Sequence, residues 1–481
     1  MVSETSTRHA LETLPRSARR VMNHAHHVRR TPCTALIMLG VALGGGLFAA
    51  PIARANPPDT FGLGARSTAL AGAVTADVED FSAGYYNPAG LARSGRMRLE
   101  LGYFYAHPEL RLGGRDNEVD DVRGIVGGLV VPGKVAGTTF AFGLSLHLPD
   151  ERISRTRSIP LTQARWELYD NRPHRIFLGV NLAWKPVDWL SIGGGIGFMS
   201  TSETRLEVVG EIPAIGAATR SRLEHALRTD LLSVRYPQAG IQVTPNDSLS
   251  FGLAYRGEFQ LGLALDANVS ADITLGPEAL PIYFQILTAS INAFLPQQLS
   301  FGAAWKPVRT LRIGLDLTWV DWSAYKAPVG TTDVRLDLTV PPAFAMFVSQ
   351  PGPISGSRPV PANFTDRFVP RIGVEWLAVE TSNLDLRLRG GYYYEFSPVP
   401  MQSGLSNFVD TDRHIFSAGA GIALHDLGKG LPGELLFDAY FQSSYMVPRT
   451  MTKTSLLDPT GSYLAEGVIW AAGATTGVTF E

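Results

Sequence analysis

The chain has 481 residues, of which only 18% are charged, with 49 Gly and 10% aromatics. That is less charge and more Gly than a soluble α/β enzyme carries, and it suits a large all-β protein facing lipid. Residues 1–55 hold seven Arg and two acidic residues; without them 35 basic residues face 42 acidic ones, which excludes a nucleic-acid binder.

The N-terminus reads as a secretory signal. Arg19, Arg20, Arg29 and Arg30 precede the apolar run ALIMLGVALGGGLFAA (35–50), and Ala53-Arg54-Ala55 forms an A-x-A cleavage site. The run is about 16 residues, short of the ~20 a transmembrane helix needs, and Gly44-Gly45-Gly46 interrupts it. The mature chain is expected to begin at Asn56, and translation to start at Met1 or Met22. The single cysteine, Cys33, precedes the apolar run, so the mature chain has no disulfide and no Cys-based metal site.

Residues 56–95 come next and include DFSAGYYNPAGL (80–91). The stretch is too rich in Gly and Pro for a helix interior and lacks strand alternation. Its Phe, Leu, Tyr and Ala content argues against a solvated tail, and the economical place for it is a barrel lumen.

From residue 96 the period is two. In LRIGLDLTW (311–319), Leu311, Ile313, Leu315, Leu317 and Trp319 share one face, and Arg312, Asp316 and Thr318 the other. LDLRLRGGYYYEF (384–396) and RFVPRIGVEW (367–376) behave alike. The strands run about 9–13 residues, as tilted membrane strands do. Trp184, Trp189, Trp305, Trp319, Trp322 and Trp376 sit near their ends, as interfacial girdles require.

Six short turns (132–137, 185–189, 244–248, 306–310, 378–383 and 425–433) alternate with long connections near 110–122, 150–174, 205–222, 262–296, 323–366, 397–413 and 445–463. The pentapeptide AWKPV occurs twice, at 183–187 and 304–308. Six short turns and seven long loops join fourteen strands, an even number that closes with no open edge in lipid. The expected organisation is a signal peptide (1–55), a plug (56–95) and a 14-stranded antiparallel barrel (96–481) in the bacterial outer membrane, as a monomer in contact with lipid and lipopolysaccharide.

Two of the long connections are apolar. PIYFQILTASINAFLP (281–296) places Tyr283, Ile286, Leu287, Ile291 and Phe294 at helical spacing beside Phe284, and VPPAFAMFVSQPGP (340–353) adds Phe344 and Phe347. Such surface either packs over the barrel mouth or captures alkyl or aryl ligands. Catalysis finds no support: Ser145 and His147 share a strand face without a nucleophile elbow or a third partner, and IGGGIGF (192–198) is a Gly-rich strand. No cofactor or metal motif is present.

GLGARSTALAGAVTADVEDFSAGYYNPAGLA (62–92) resembles the N-terminal hatch of the FadL/TodX family of outer-membrane fatty-acid and hydrocarbon transporters. The likeness continues at LPQQLSFGAAWKP, LDLTWVDWSAY and RGGYYYEFSPVP. It implies a 14-stranded barrel with a hatch that closes at Asn87-Pro88-Ala89, ligand capture among the outer loops, hatch movement and sideways exit at a kink in the third strand, where Gly143 is the candidate. The implied partner is a hydrophobic small molecule, a fatty acid or a hydrocarbon. The alternative is a structural or adhesive barrel that kept its hatch without transport.

Overall fold

The computed structural model describes residues 57–151, 163–170, 175–213, 222–275, 278–325, 331–338, 354–355, 362–425 and 433–480. The signal segment, Asn56, Phe344 and Phe347 lie outside the described residues.

Fourteen antiparallel strands form the wall. They are β1 Met97–Leu112, β2 Val122–Val135, β3 Thr138–Pro149, β4 Phe177–Val187, β5 Leu190–Pro213, β6 Arg222–Asn246, β7 Leu249–Arg256, β8 Gln298–Val308, β9 Leu311–Val320, β10 Arg367–Glu380, β11 Leu384–Glu395, β12 Arg413–Leu424, β13 Leu435–Met451 and β14 Tyr463–Phe480. Each pairs with its chain neighbours, and β1 pairs with β14 from Met97↔Phe480 to Leu112↔Ala465. Closure leaves no unpaired edge in the hydrocarbon layer.

The alternation sets the facing. On β9, Leu315 is 53% exposed and Thr318 only 4%. Leu315 therefore faces lipid, and Arg312, Asp316 and Thr318 face the lumen. The turns explain themselves locally. Ala136 and Gly137 both take positive φ, the two-residue geometry whose twist matches the strands it joins. Both AWKPV repeats form the same bulged hairpin, with register shifts at Trp184/Val187 and Trp305/Val308. The bulge places Pro186 and Pro307 where the ladder needs no N–H. Trp184, Trp189, Trp305 and Trp376 are exposed at this end of the wall, as a girdle requires. Trp322 is not a girdle residue: it is buried in an aromatic cluster at the other end.

Two expected loops are strands instead. Residues 262–296 form a hairpin, Phe259–Leu275 with Glu278–Leu295, inserted between β7 and β8. Phe284, Ile286, Leu287 and Ile291 are strand positions, not a helical stripe. The hairpin pairs parallel to β5 along Thr204–Pro213 and antiparallel to a further strand, Thr331–Leu338. β5 and β6 pair far past the end of β4, up to Glu211↔Arg222.

The hatch fills the lumen. It comprises α1 Pro57–Phe61, α2 Ala65–Ala69, α3 Ala83–Tyr86 and a 3₁₀ turn Pro88–Arg93. Leu70, Val74, Val78, Phe81 and Leu91 are at most 1% exposed, each contributing roughly 1.5–3 kcal/mol of burial. Four-residue and five-residue helices are too short to persist alone, so the wall supplies their stability.

Candidate functional site: the hatch and its seat

Asn87 sits at the centre of the hatch. It has extended backbone (φ −164°) and caps the turn that Pro88 begins. Pro88 favours that geometry in the residue before it and suits the first position of a helical turn. The side chain of Asn87 uses both ends of its amide: Oδ1 accepts from Ala89 N at 3.1 Å, and Nδ2 donates to Thr75 O at 2.7 Å and to Ile241 O on β6 at 3.0 Å. One side chain thus ties the turn, the hatch and the wall together. Pro88 and Ala89 are buried beside it.

The wall is cut to receive this surface. Eleven neighbouring strands, β2 to β12, each place a glycine against the hatch. A Cβ added at Gly193 would collide with the Pro88–Ala89 backbone, one at Gly240 with Asn87, one at Gly252 with Thr75 O and one at Gly314 with Ala73 O. Any side chain here would push the hatch off its seat. Gly143, on β3, lies directly under Leu91. The ladder on both sides of Gly143 runs without a register shift, from Val130↔Gly143 to Gly143↔Asn181.

Two arcs of the wall hold the hatch by different chemistry. On β3 to β6 the partners are neutral. Ser145 Oγ donates to Phe81 O at 2.6 Å, Gln238 Nε2 to Gly84 O at 2.6 Å, and Gln242 Nε2 to Thr75 O and Val78 O at 3.3 Å each. Ser145, the only nucleophile candidate the sequence offered, therefore anchors backbone. On β9 to β13 the partners are charged. Arg312 pairs with Asp77 and donates to Ala73 O at 2.7 Å, and Asp316 accepts from Thr75 N at 3.0 Å. Arg66 reaches Glu375 at 3.1 Å, and Glu375 also meets Arg389, which pairs with Asp438. Burial alone would raise the Asp77 carboxyl, but the guanidinium of Arg312 outweighs it and holds the group below the ordinary carboxylate range.

Space above and below the hatch is unequal. Above it lies a cavity of about 80 Å³ lined by Tyr85, Tyr169, Arg256, Arg371 and Arg413, among others. That is small beside the ~300–1,000 Å³ of ligand pockets. Arg256 is paired with Asp59 and stacks on Tyr85; Arg413 is paired with Glu395; Arg371 stacks on Tyr393. In the loop above, burial pushes the Asp410 carboxyl up to about 6, and it accepts from Tyr169 OH at 3.0 Å. Below the hatch a chamber of about 710 Å³ is lined by charged groups, including Arg66, Asp77, Arg98, Arg309 and Arg387.

At the outer end, Phe294 joins Trp322, Tyr325 and Phe364 in one aromatic cluster, with Phe294–Tyr325 centroids 5.1 Å apart and Tyr325–Phe364 4.8 Å apart. Of the apolar loop residues singled out in the sequence, Phe294 is packed here. Tyr325 and Phe364 were missed, and Trp322 was expected in the girdle instead.

The model of the outer-membrane transport proteins OMPP1/FadL/TodX matches residues 55–429. The chain belongs to that family. It is therefore a protein of the outer membrane. It is 23% identical over 412 residues to alkane uptake protein A of Marinobacter nauticus, covering 81% of this chain and 84% of the relative. The structure of a Pseudomonas aeruginosa FadL homologue overlays with a TM-score of 0.51 at 16% identity, covering 87% of this chain and 97% of that one. The Ralstonia pickettii toluene transporter TbuX gives 0.49 at 16% identity, covering 88% and 99%.

Proposed function

We propose that this chain carries hydrophobic small molecules inward across the outer membrane by capture at the outer loops, displacement of the hatch and sideways exit through the wall at β3. The observation that carries the reading is the seated hatch: a buried plug fills the lumen and leaves a cavity too small for a long alkyl chain above it. Passage therefore requires the hatch to move. Asn87, Pro88 and Ala89 form the catch, since they join the turn to the wall at Ile241.

The charged chamber below disfavours straight passage into the periplasm, because an apolar cargo there would desolvate paired ions. Exit into lipid avoids that cost. β3 suits it, since Gly143 on its inner face meets the apolar Leu91 of the hatch. The candidate capture residues are Phe284, Ile286, Leu287, Ile291, Phe294, Phe344 and Phe347. Uncharged hydrocarbons fit better than fatty acids, because Arg256 and Arg413 already hold carboxylates, and Arg371 lies over the Tyr393 ring and donates to Ala71 O at 3.4 Å. The name of the Marinobacter relative agrees with this choice.

The test is uptake of labelled hexadecane and labelled palmitate by cells with and without the gene. Gene-dependent uptake of hexadecane above palmitate supports the reading. Uptake of neither cargo would refute it.

A further inference from the structure

The connection from Pro149 of β3 to Phe177 of β4 is several times the median loop of about 4–6 residues. Its described middle, residues 163–170, reaches across the mouth of the barrel to the loop between β11 and β12, close to the opposite side of the fourteen-strand ring. Arg165 pairs with Phe408 as a parallel bridge: Arg165 N donates to Asn407 O at 3.4 Å, and Val409 N to Arg165 O at 3.1 Å. Trp166 N donates to Asn117 Oδ1 of the β1–β2 loop at 3.4 Å. One helical turn follows, Glu167–Asp170, too short to persist alone. Tyr169 N and Asp170 N both donate to Trp166 O at 3.0 Å, and Arg165 Nε donates to Asp170 Oδ2 at 2.6 Å. Tyr169 OH then donates to Asp410 Oδ1 at 3.0 Å, and the Arg413 guanidinium lies 5.5 Å from the Tyr169 ring.

Trp166, Leu168, Tyr169 and Asp170 are buried. Leu168 and Tyr169 line the cavity above the hatch, opposite Asp59 and Tyr85 of the hatch itself. The segment is thus the roof of the cavity whose floor is the hatch. A barrel strand is held by a ladder of main-chain bonds along its whole length, whereas this roof meets the β11–β12 loop through a single bridge and the Tyr169–Asp410 bond. Elements held by few such bonds open at far lower cost than the strands around them.

We propose that residues 165–170 form a strap that closes the outer mouth, a second gate in series with the hatch, and that the Tyr169–Asp410 bond is its latch. The proposal rests on the transport reading and adds to it the residues that control entry. Cargo reaches the cavity when the strap lifts. An apolar cargo can cover Trp166 and Leu168 as they leave their packing, which offsets the burial they lose; a polar solute cannot. The strap therefore selects apolar cargo before the hatch is reached.

The experiment reads access to the cavity in the full mature protein, held in nanodiscs. Ser300 lines the cavity from β8, and residues 56–481 hold no cysteine, so Ser300→Cys places one thiol behind the strap. Its reaction with a water-soluble maleimide should be slow, and Tyr169→Phe should speed it about fivefold or more, as when a buried acceptor loses its donor. Trp166→Ala/Leu168→Ala strips the apolar face of the strap and should also speed it. Leu457→Cys, at an exposed loop tip, should react equally fast with and without Tyr169→Phe. Leak of small hydrophilic dyes should be unchanged in both strap variants, because the hatch still fills the lumen. Reaction of Ser300→Cys as fast as that of Leu457→Cys in the chain with its strap intact would overturn the proposal, as would a rate that neither strap variant changes. Faster reaction accompanied by dye leak would also overturn it, by assigning the access to the hatch. None of these readings needs a transported cargo, so failure of the strap and failure of transport are told apart.

Discussion

The β3–β6 arc and the β9–β13 arc both grip the hatch, but with unequal strength. The first uses Ser145, Gln238, Gln242 and the Asn87–Ile241 bond, all neutral. The second uses Arg312–Asp77 and the Arg66–Glu375–Arg389–Asp438 chain. Neutral hydrogen bonds contribute about 0.5–1.5 kcal/mol net and those to charged groups about 1.5–3 kcal/mol. For the route proposed above, a hatch held this way is expected to release its neutral side, which includes Gly143 and β3, first and to pivot on its charged side. The difference would give the hatch a direction of movement that a uniform ring of contacts would not.

The largest expected effect comes from removing both arcs' partner at once. Deleting residues 56–95 should leave a barrel that migrates with normal heat-modifiability and leaks small hydrophilic dyes outright. A barrel as tight as the intact protein would mean the segment does not plug the lumen.

Next come paired substitutions, one per arc. Glu375→Leu leaves the partly buried Arg66 without its carboxylate and Arg389 with Asp438 alone, at a cost of up to about 3–5 kcal/mol. Gln242→Leu loses two long neutral bonds, at about 1–3 kcal/mol. Hydrogen exchange over residues 65–91 should rise more for Glu375→Leu. Asn87→Ala breaks the neutral arc at its centre and should change transport while heat-modifiable migration stays normal. Equal exchange in the Glu375 and Gln242 variants would erase the asymmetry.

Acid should act on one arc only. The lowered Asp77 carboxyl contributes stability that is present above its ordinary value of 3.8 and lost as pH falls below that through the lowered value. Dye leak should stay flat from neutral pH down to the ordinary value and rise below it. A rise already near neutral pH would place the control elsewhere.

The smallest effect on the hatch comes from the lipid side. Leu315→Arg should impair assembly by about 2–4 kcal/mol, and Thr318→Arg, facing the lumen, by much less. Yields of folded barrel after refolding into lipid measure this, and equal damage would contradict the facing of β9.

The barrel was legible because closure in lipid imposes a strict period of two and a turn at each end, so Leu315 and Arg312 declare their faces in the sequence. The hatch chemistry at Asn87 was legible only through family resemblance. The sequence names the residue but not Thr75 and Ile241, whose carbonyls are distant in the chain. The glycines of the seat were visible as composition, yet no local rule says that Gly252 clears room for Thr75. The extracellular strands were misread for a physical reason. Leu261, Leu263, Leu265, Val269 and Ile273 do alternate, but a membrane strand needs only ~9–11 residues, and the excess was assigned to loops.

Locking the hatch to β3 tests the pivot most directly. A Cβ at Gly84 lies 3.4 Å from the Cβ of Ser145 on β3. That is near the spacing of a disulfide, and residues 56–481 hold no cysteine to interfere. Uptake of labelled hexadecane should stop in oxidised Gly84→Cys/Ser145→Cys and return on reduction. Full uptake through a hatch locked to β3 would contradict the account.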